Sequence, residues 1–131
     1  MEEKELQEKV MAYRMLESRL EALVKQRDFI ASRTMELQST IDSIDQIEKS
    51  NEIMFPVGLD AYTIGKIVDK KNVMITIGAG IVIEKTVAEA KETLAARKVE
   101  MEQALQELQN NINNISAGLE QLGPEIQSQM E

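Results

Sequence analysis

Two long stretches of strict three-and-four apolar spacing, separated by a short segment of a different period, limit what this chain can fold into. From Leu6 to Ile44 the seam runs Leu6, Lys9, Tyr13, Leu16, Leu20, Leu23, Arg27, Ile30, Thr34, Leu37, Ile41, Ile44. Nine of these twelve positions are apolar, and the residues between them are mostly Glu, Lys, Arg, Gln and Ser. A heptad held over more than five repeats is the signature of a coiled coil. No Pro or Gly interrupts it, and the helix is expected to stop near Ser50–Asn51, where Asn can cap its C-terminus.

The second seam runs Val87, Ala90, Leu94, Lys98, Met101, Leu105, Leu108, Ile112, Ile115, Leu119, Leu122, Ile126. Thr86-Val87-Ala88-Glu89 matches a capping box at its start, the Thr hydroxyl accepting from the third amide while Glu89 reaches back to the cap. Gly118 weakens the last part, and Gly123-Pro124 is expected to kink or end the helix. The two segments, about 45 and 40 residues, are each roughly 60 Å long at 1.5 Å per residue. Folding back at the middle sets Ile44 near Val87, Leu23 near Leu108 and Leu6 near Ile126, which favours an intramolecular antiparallel hairpin over a parallel dimer.

Residues 52–85 change period. "EIMFPVG" (52–58), "AYTIGKIV" (61–68), "VMITI" (73–77) and "IVIE" (81–84) are short, mostly β-branched and separated by turn residues, so they read as two β-hairpins. The glycines of "MITIGAGIVIEKT" could begin a phosphate cradle. A dinucleotide fingerprint, however, needs a third glycine where Ile83 stands and a helix directly after it. Gly78 and Gly80 therefore read as a turn or bulge requiring positive φ. Isolated hairpins are marginal in water and their edges invite pairing. Ile64, Ile67, Val73, Ile75, Ile77, Ile81 and Ile83 are accordingly expected in a core shared with neighbouring subunits. The organisation expected is one domain: a helix over 1–51, oligomerising hairpins over 52–85, and a helix over 86–131.

This central segment resembles the α subunits of archaeal prefoldins. "MFPVG" (54–58) and "VMITIGAGIVIEKTVAEA" (73–90) carry the resemblance, the latter similar to that family's strand–GxGxxxE–K run into its second helix. The layout matches over the whole chain; a β subunit is expected to have one hairpin where this chain has two. The resemblance implies an ATP-independent holding chaperone without cofactor. Two α and four β subunits would form a double β-barrel body with six coiled-coil arms, which capture unfolded clients at their tips and pass them to a group II chaperonin. A γ-type filament-forming relative is a second possibility within the family.

On this reading the client-binding tips comprise Leu6, Val10, Met11, Met15, Leu119, Leu122, Ile126 and Met130, which include apolar positions beyond what one seam needs. Methionine suits promiscuous apolar contact. The absence of Cys and His removes disulfides, thiol chemistry and the commonest general base, and the acidic runs read as solvated helix faces. No enzyme, metal site or cofactor is expected. A formal charge of −8 disfavours nucleic acid and anionic membrane as partners. No apolar run approaches a membrane span and "MEEKELQEKV" lacks a signal-peptide core, so a cytoplasmic protein is expected. A static coiled-coil scaffold or adaptor, and an enzyme using carboxylates, are the readings from other classes. Loss of aggregation suppression would favour the first and substrate turnover the second.

Overall fold

In the computed structural model, which describes residues 2–130, the element order is α1 (Glu2–Ile47), β1 (Glu52–Gly58), β2 (Ala61–Lys66), β3 (Asn72–Gly78), β4 (Ile81–Thr86) and α2 (Val87–Met130). The chain divides into two units, one built from Met1–Arg33 and Met101–Glu131, the other from Thr34–Glu100. Every seam position of both helices is buried or half-buried, so the three-and-four spacing marks the packed stripe without exception.

In the first unit α1 and α2 pair antiparallel. Lys9 Nζ lies 3.6 Å from a Glu125 carboxylate oxygen, and Arg27 Nη1 donates to Gln109 Oε1 at 3.3 Å. Ile112 is its buried residue, and Leu16, Leu20, Leu105 and Leu108 are half-buried. In the second unit α1 and α2 are linked by Lys98 Nζ, which donates to Gln38 Oε1 at 2.6 Å, and by a Lys91–Asp45 ion pair. Three of the four polar seam residues, Lys9, Arg27 and Lys98, thus meet a polar partner on the opposite helix. Polar groups at seam positions penalise other registers, where they would lie against apolar neighbours.

The core of the second unit is Ile44, Ile75, Val87, Ala90 and Leu94, with Leu37, Ile41 and Val73 packed against it. β3 therefore lies on the helices through Val73 and Ile75. The hairpins form two separate two-stranded antiparallel sheets, β1–β2 and β3–β4. Their registers are the same with an offset of twenty residues: Glu52 faces Lys66 as Asn72 faces Thr86, and both ladders slip just before the turn, at Pro56/Gly58 and Thr76/Gly78. In β3–β4 the two-residue turn Ala79-Gly80 has φ of 48° and 76°, the left-handed pair that matches strand twist, and Gly78 at the bulge sits at 135°.

Three local expectations change. α1 ends at Ile47, short of Ser50–Asn51. Its last turn tightens, Lys49 N donating to Gln46 O, and Asn51 serves the first hairpin instead of capping: its carbonyl accepts from Ile67 N at 3.0 Å and its side chain from Lys70. α2 does not end at Gly123-Pro124 but continues to Met130. Proline removes one amide near the end of the helix, while half-buried Leu122 and Ile126 on either side keep the turn packed. The capping box forms in part. Glu89 N donates to Thr86 Oγ1 at 3.2 Å, but the Glu89 carboxylate accepts from the Thr86 hydroxyl at 3.0 Å, not from the cap amide.

Candidate functional site

Two surfaces hold more exposed apolar area than a single chain needs. The first is the β1–β2 hairpin. Met54, Ile64 and Tyr62 form cross-strand neighbours on one face and all are exposed. On the other face Phe55 lies across Gly65, where the missing side chain makes room: a Cβ there would sit 2.2 Å from Phe55 Cε2. Leu59, at the turn, is 96% exposed. Neither face of this hairpin is covered as Val73 and Ile75 are covered in its counterpart.

The expected assembly residues separate accordingly. Ile64, Ile77 and Ile81 are exposed, Ile67 and Ile83 half-buried. Ile75, 6% exposed, belongs to the chain's own core, with Val73 beside it. Within the chain Ile75 packs in one cluster with Ile44, Val87 and Leu94, and Val73 stays half-buried. Ile77, two residues on, is 50% exposed because the ladder slips between Thr76 and Gly78, which takes it off the packed face. Simple alternation cannot anticipate that slip.

The second surface lies in the first unit, where the start of α1 meets the end of α2. An open groove of about 730 Å³ is lined by Val10, Tyr13, Leu119, Ile126 and Met130, with Gly123 and Pro124 on its floor and Arg14, Glu17, Glu120 and Gln127 along it. Gly123 faces Tyr13 at ordinary contact distance: a Cβ there would lie 3.6 Å from Tyr13 Cε2. Of the eight residues expected at the tip, Val10, Leu119, Ile126 and Met130 come together here. Leu6 lines a separate depression with Glu2, Glu3 and Glu5, and Leu122 a smaller one with Gly118 and Glu125. Met11 and Met15 are exposed outside the groove. Tyr13, which the sequence marks only as a seam position, and Gly123-Pro124, which it marks only as a place for the helix to kink or end, both line the groove.

Among the described residues no group of three or more Asp and Glu side chains is placed to hold a metal ion, and no helix is long and apolar enough to cross a membrane. Asp69, in the turn between the hairpins, has its carboxyl held below its ordinary value. The chief cause is a hydrogen bond from the Lys71 amide (2.8 Å), followed by one from the Asn72 side chain (3.2 Å). The Lys91 ammonium is raised by its hydrogen bond to Asp45. Both groups organise structure and neither faces the groove.

Two long helices that pair antiparallel, joined in sequence by two small β-hairpins, define a coiled-coil hairpin protein. The prefoldin subunit family model matches residues 16–131, and the chain belongs to that family. It is 28% identical over 110 residues to prefoldin subunit alpha of Pyrococcus horikoshii, covering 81% of this chain and 74% of that one. It is 29% identical over 115 residues to prefoldin subunit alpha of Methanobrevibacter smithii, covering 81% and 79%. The cryo-EM structure of filamentous PFD from Methanocaldococcus jannaschii shares the fold, with a TM-score of 0.74 at 19% identity over 88% of this chain and 98% of that one. Family and fold support a prefoldin chaperone role, with other prefoldin subunits as partners.

Proposed function

We propose that this chain is an α-type subunit of a holding chaperone that captures unfolded polypeptides without ATP and delivers them to a group II chaperonin in the cytoplasm. The observation that carries the reading is the open groove of the first unit, where half-buried Val10, Tyr13, Leu119 and Ile126 and exposed Met130 come together. Leu6, Val10, Met11, Met15, Leu119, Leu122, Ile126 and Met130 are the client-binding residues, joined by Tyr13 and Pro124. Burial of client side chains, at about 25 cal/mol per Å² before ordering costs, supplies the affinity. Several such grooves in one assembly add avidity without any single strong site. Assembly with β subunits, two α to four β, uses the uncovered β1–β2 hairpin together with Ile77 and Ile81, which would close with neighbouring strands into a barrel. A second reading, homomeric filaments, is favoured by the filamentous structure that shares this fold.

The test is removal of residues 1–10 and 123–131 from the assembled protein. Assembly mass should persist while suppression of aggregation of a denatured client falls, with ATP making no difference in either form. Unchanged suppression would move client binding away from the groove. The mass of the chain alone and with a β subunit separates hexamer from filament.

A further inference from the structure

We propose that the groove discriminates among unfolded segments by charge, taking apolar stretches flanked by Lys or Arg and rejecting those flanked by Asp or Glu. The inference rests on the reading that client binds in this groove. The groove supplies non-selective apolar contact through Val10, Tyr13, Leu119, Ile126 and Met130. Its surroundings are not neutral. Over residues 2–17 and 119–130 the acidic side chains are Glu2, Glu3, Glu5, Glu8, Glu17, Glu120 and Glu125, and the basic ones are Lys4, Lys9 and Arg14. Lys9 is already engaged by Glu125 across the helices. Residues 119–130, which form one wall, carry no Lys or Arg. Glu17 and Glu120 lie along the groove itself with Arg14, two acidic groups to one basic, and Glu2, Glu3 and Glu5 edge the depression around Leu6. These last three lie in the first turn of α1.

An occupant that fits is therefore a polypeptide with apolar side chains for the groove and cationic side chains within a Debye length of the rim. Exposed ion pairs of this kind are individually weak and screened by salt. Selectivity should accordingly be modest at low ionic strength and should fade as salt rises, while the apolar contribution stays.

The experiment uses the assembled full-length protein and three fluorescent peptides with the same Leu/Val/Phe core, flanked by Lys, Ser or Glu, followed by fluorescence anisotropy. The expected order is Lys over Ser over Glu. Lys- and Glu-flanked peptides should differ about tenfold at low salt and less than about twofold near 0.5 M. Replacing Glu17→Gln and Glu120→Gln together should narrow the low-salt difference between the Lys- and Glu-flanked peptides. Equal binding of all three wild-type pairs overturns charge selection while leaving the groove as an apolar site. Binding of none of them overturns the groove as the client site, and charge selection with it.

Discussion

Ile75 and Ile77 stand two residues apart on one strand and are chemically identical, yet the structure assigns them different work. Truncating each to Ala removes three carbons, a transfer loss of about 2.4 kcal/mol for a fully buried side chain at ~0.8 kcal/mol per methylene. Ile75 realises nearly all of this, being 6% exposed among Ile44, Val87 and Leu94. A cavity penalty adds to it, moderated because an open cleft of about 350 Å³ already borders Ile75 and lets neighbours relax. A total of about 3 kcal/mol results, in the lower half of the range for buried Ile-to-Ala changes. Ile77, half exposed, forfeits about 1 kcal/mol and leaves no cavity. For a chain of this size about 3 kcal/mol corresponds to a fall in Tm of roughly 10 °C. The assay is thermal unfolding of the unassembled chain followed by far-UV circular dichroism, with all variants at one dilute protein concentration, because assembly, which would bury Ile77, adds to apparent stability. Ile75→Ala should melt roughly 10 °C early and Ile77→Ala within a few degrees of the parent. Equal losses at the two positions would refute the division of β3 into an own-core residue and a free one.

Thr86→Ala should cost about 1 kcal/mol through loss of the hydroxyl that accepts from the Glu89 amide, and Thr86→Ser should restore most of it in the same melting assay. Gly65→Ala should be unfavourable only while Phe55 is present; a double-mutant cycle with Phe55→Ala should give a coupling of about 1 kcal/mol, and a coupling of zero would remove the ring from the Gly65 surface. Asp69 has a folded pKa below its ordinary 3.8, so its contribution is present above that value and lost as pH falls through the folded one. Acid titration of stability should therefore be shallower below about pH 4 in Asp69→Asn than in the parent, and identical profiles would refute a role for the Asp69 turn.

Helix pairing was legible because it rests on repetition. Twenty-four seam positions agree with one another, and a single polar exception such as Arg27 does not disturb the pattern; its partner Gln109 becomes visible only when the helices are aligned. The hairpins were legible from β-branched runs and turn residues, and their pairing matches to the residue in β1 and within one or two in the other strands. What could not be read was decided by contacts remote in sequence. Ile75 looks like Ile77 until the ladder slips at Thr76/Gly78. Gly123-Pro124 looks like a kink or a stop because local propensity says so, while the helix runs on to Met130 with Leu122 and Ile126 half-buried on either side. The groove brings together Tyr13 and Gly123, which are more than a hundred residues apart in sequence.

The central claim, that unfolded polypeptide is held in the groove by passive apolar contact, is tested most directly by site-specific photocrosslinking. A photoreactive residue at Met130, which lines the groove, is compared with one at Met35, which does not; their exposures of 72% and 74% make the two positions equally accessible. With a denatured client added to the assembled protein, the account predicts strong crosslinking from position 130, little from position 35, and the same yield with and without ATP. Equal yields from the two positions, or client released by ATP alone, would contradict it.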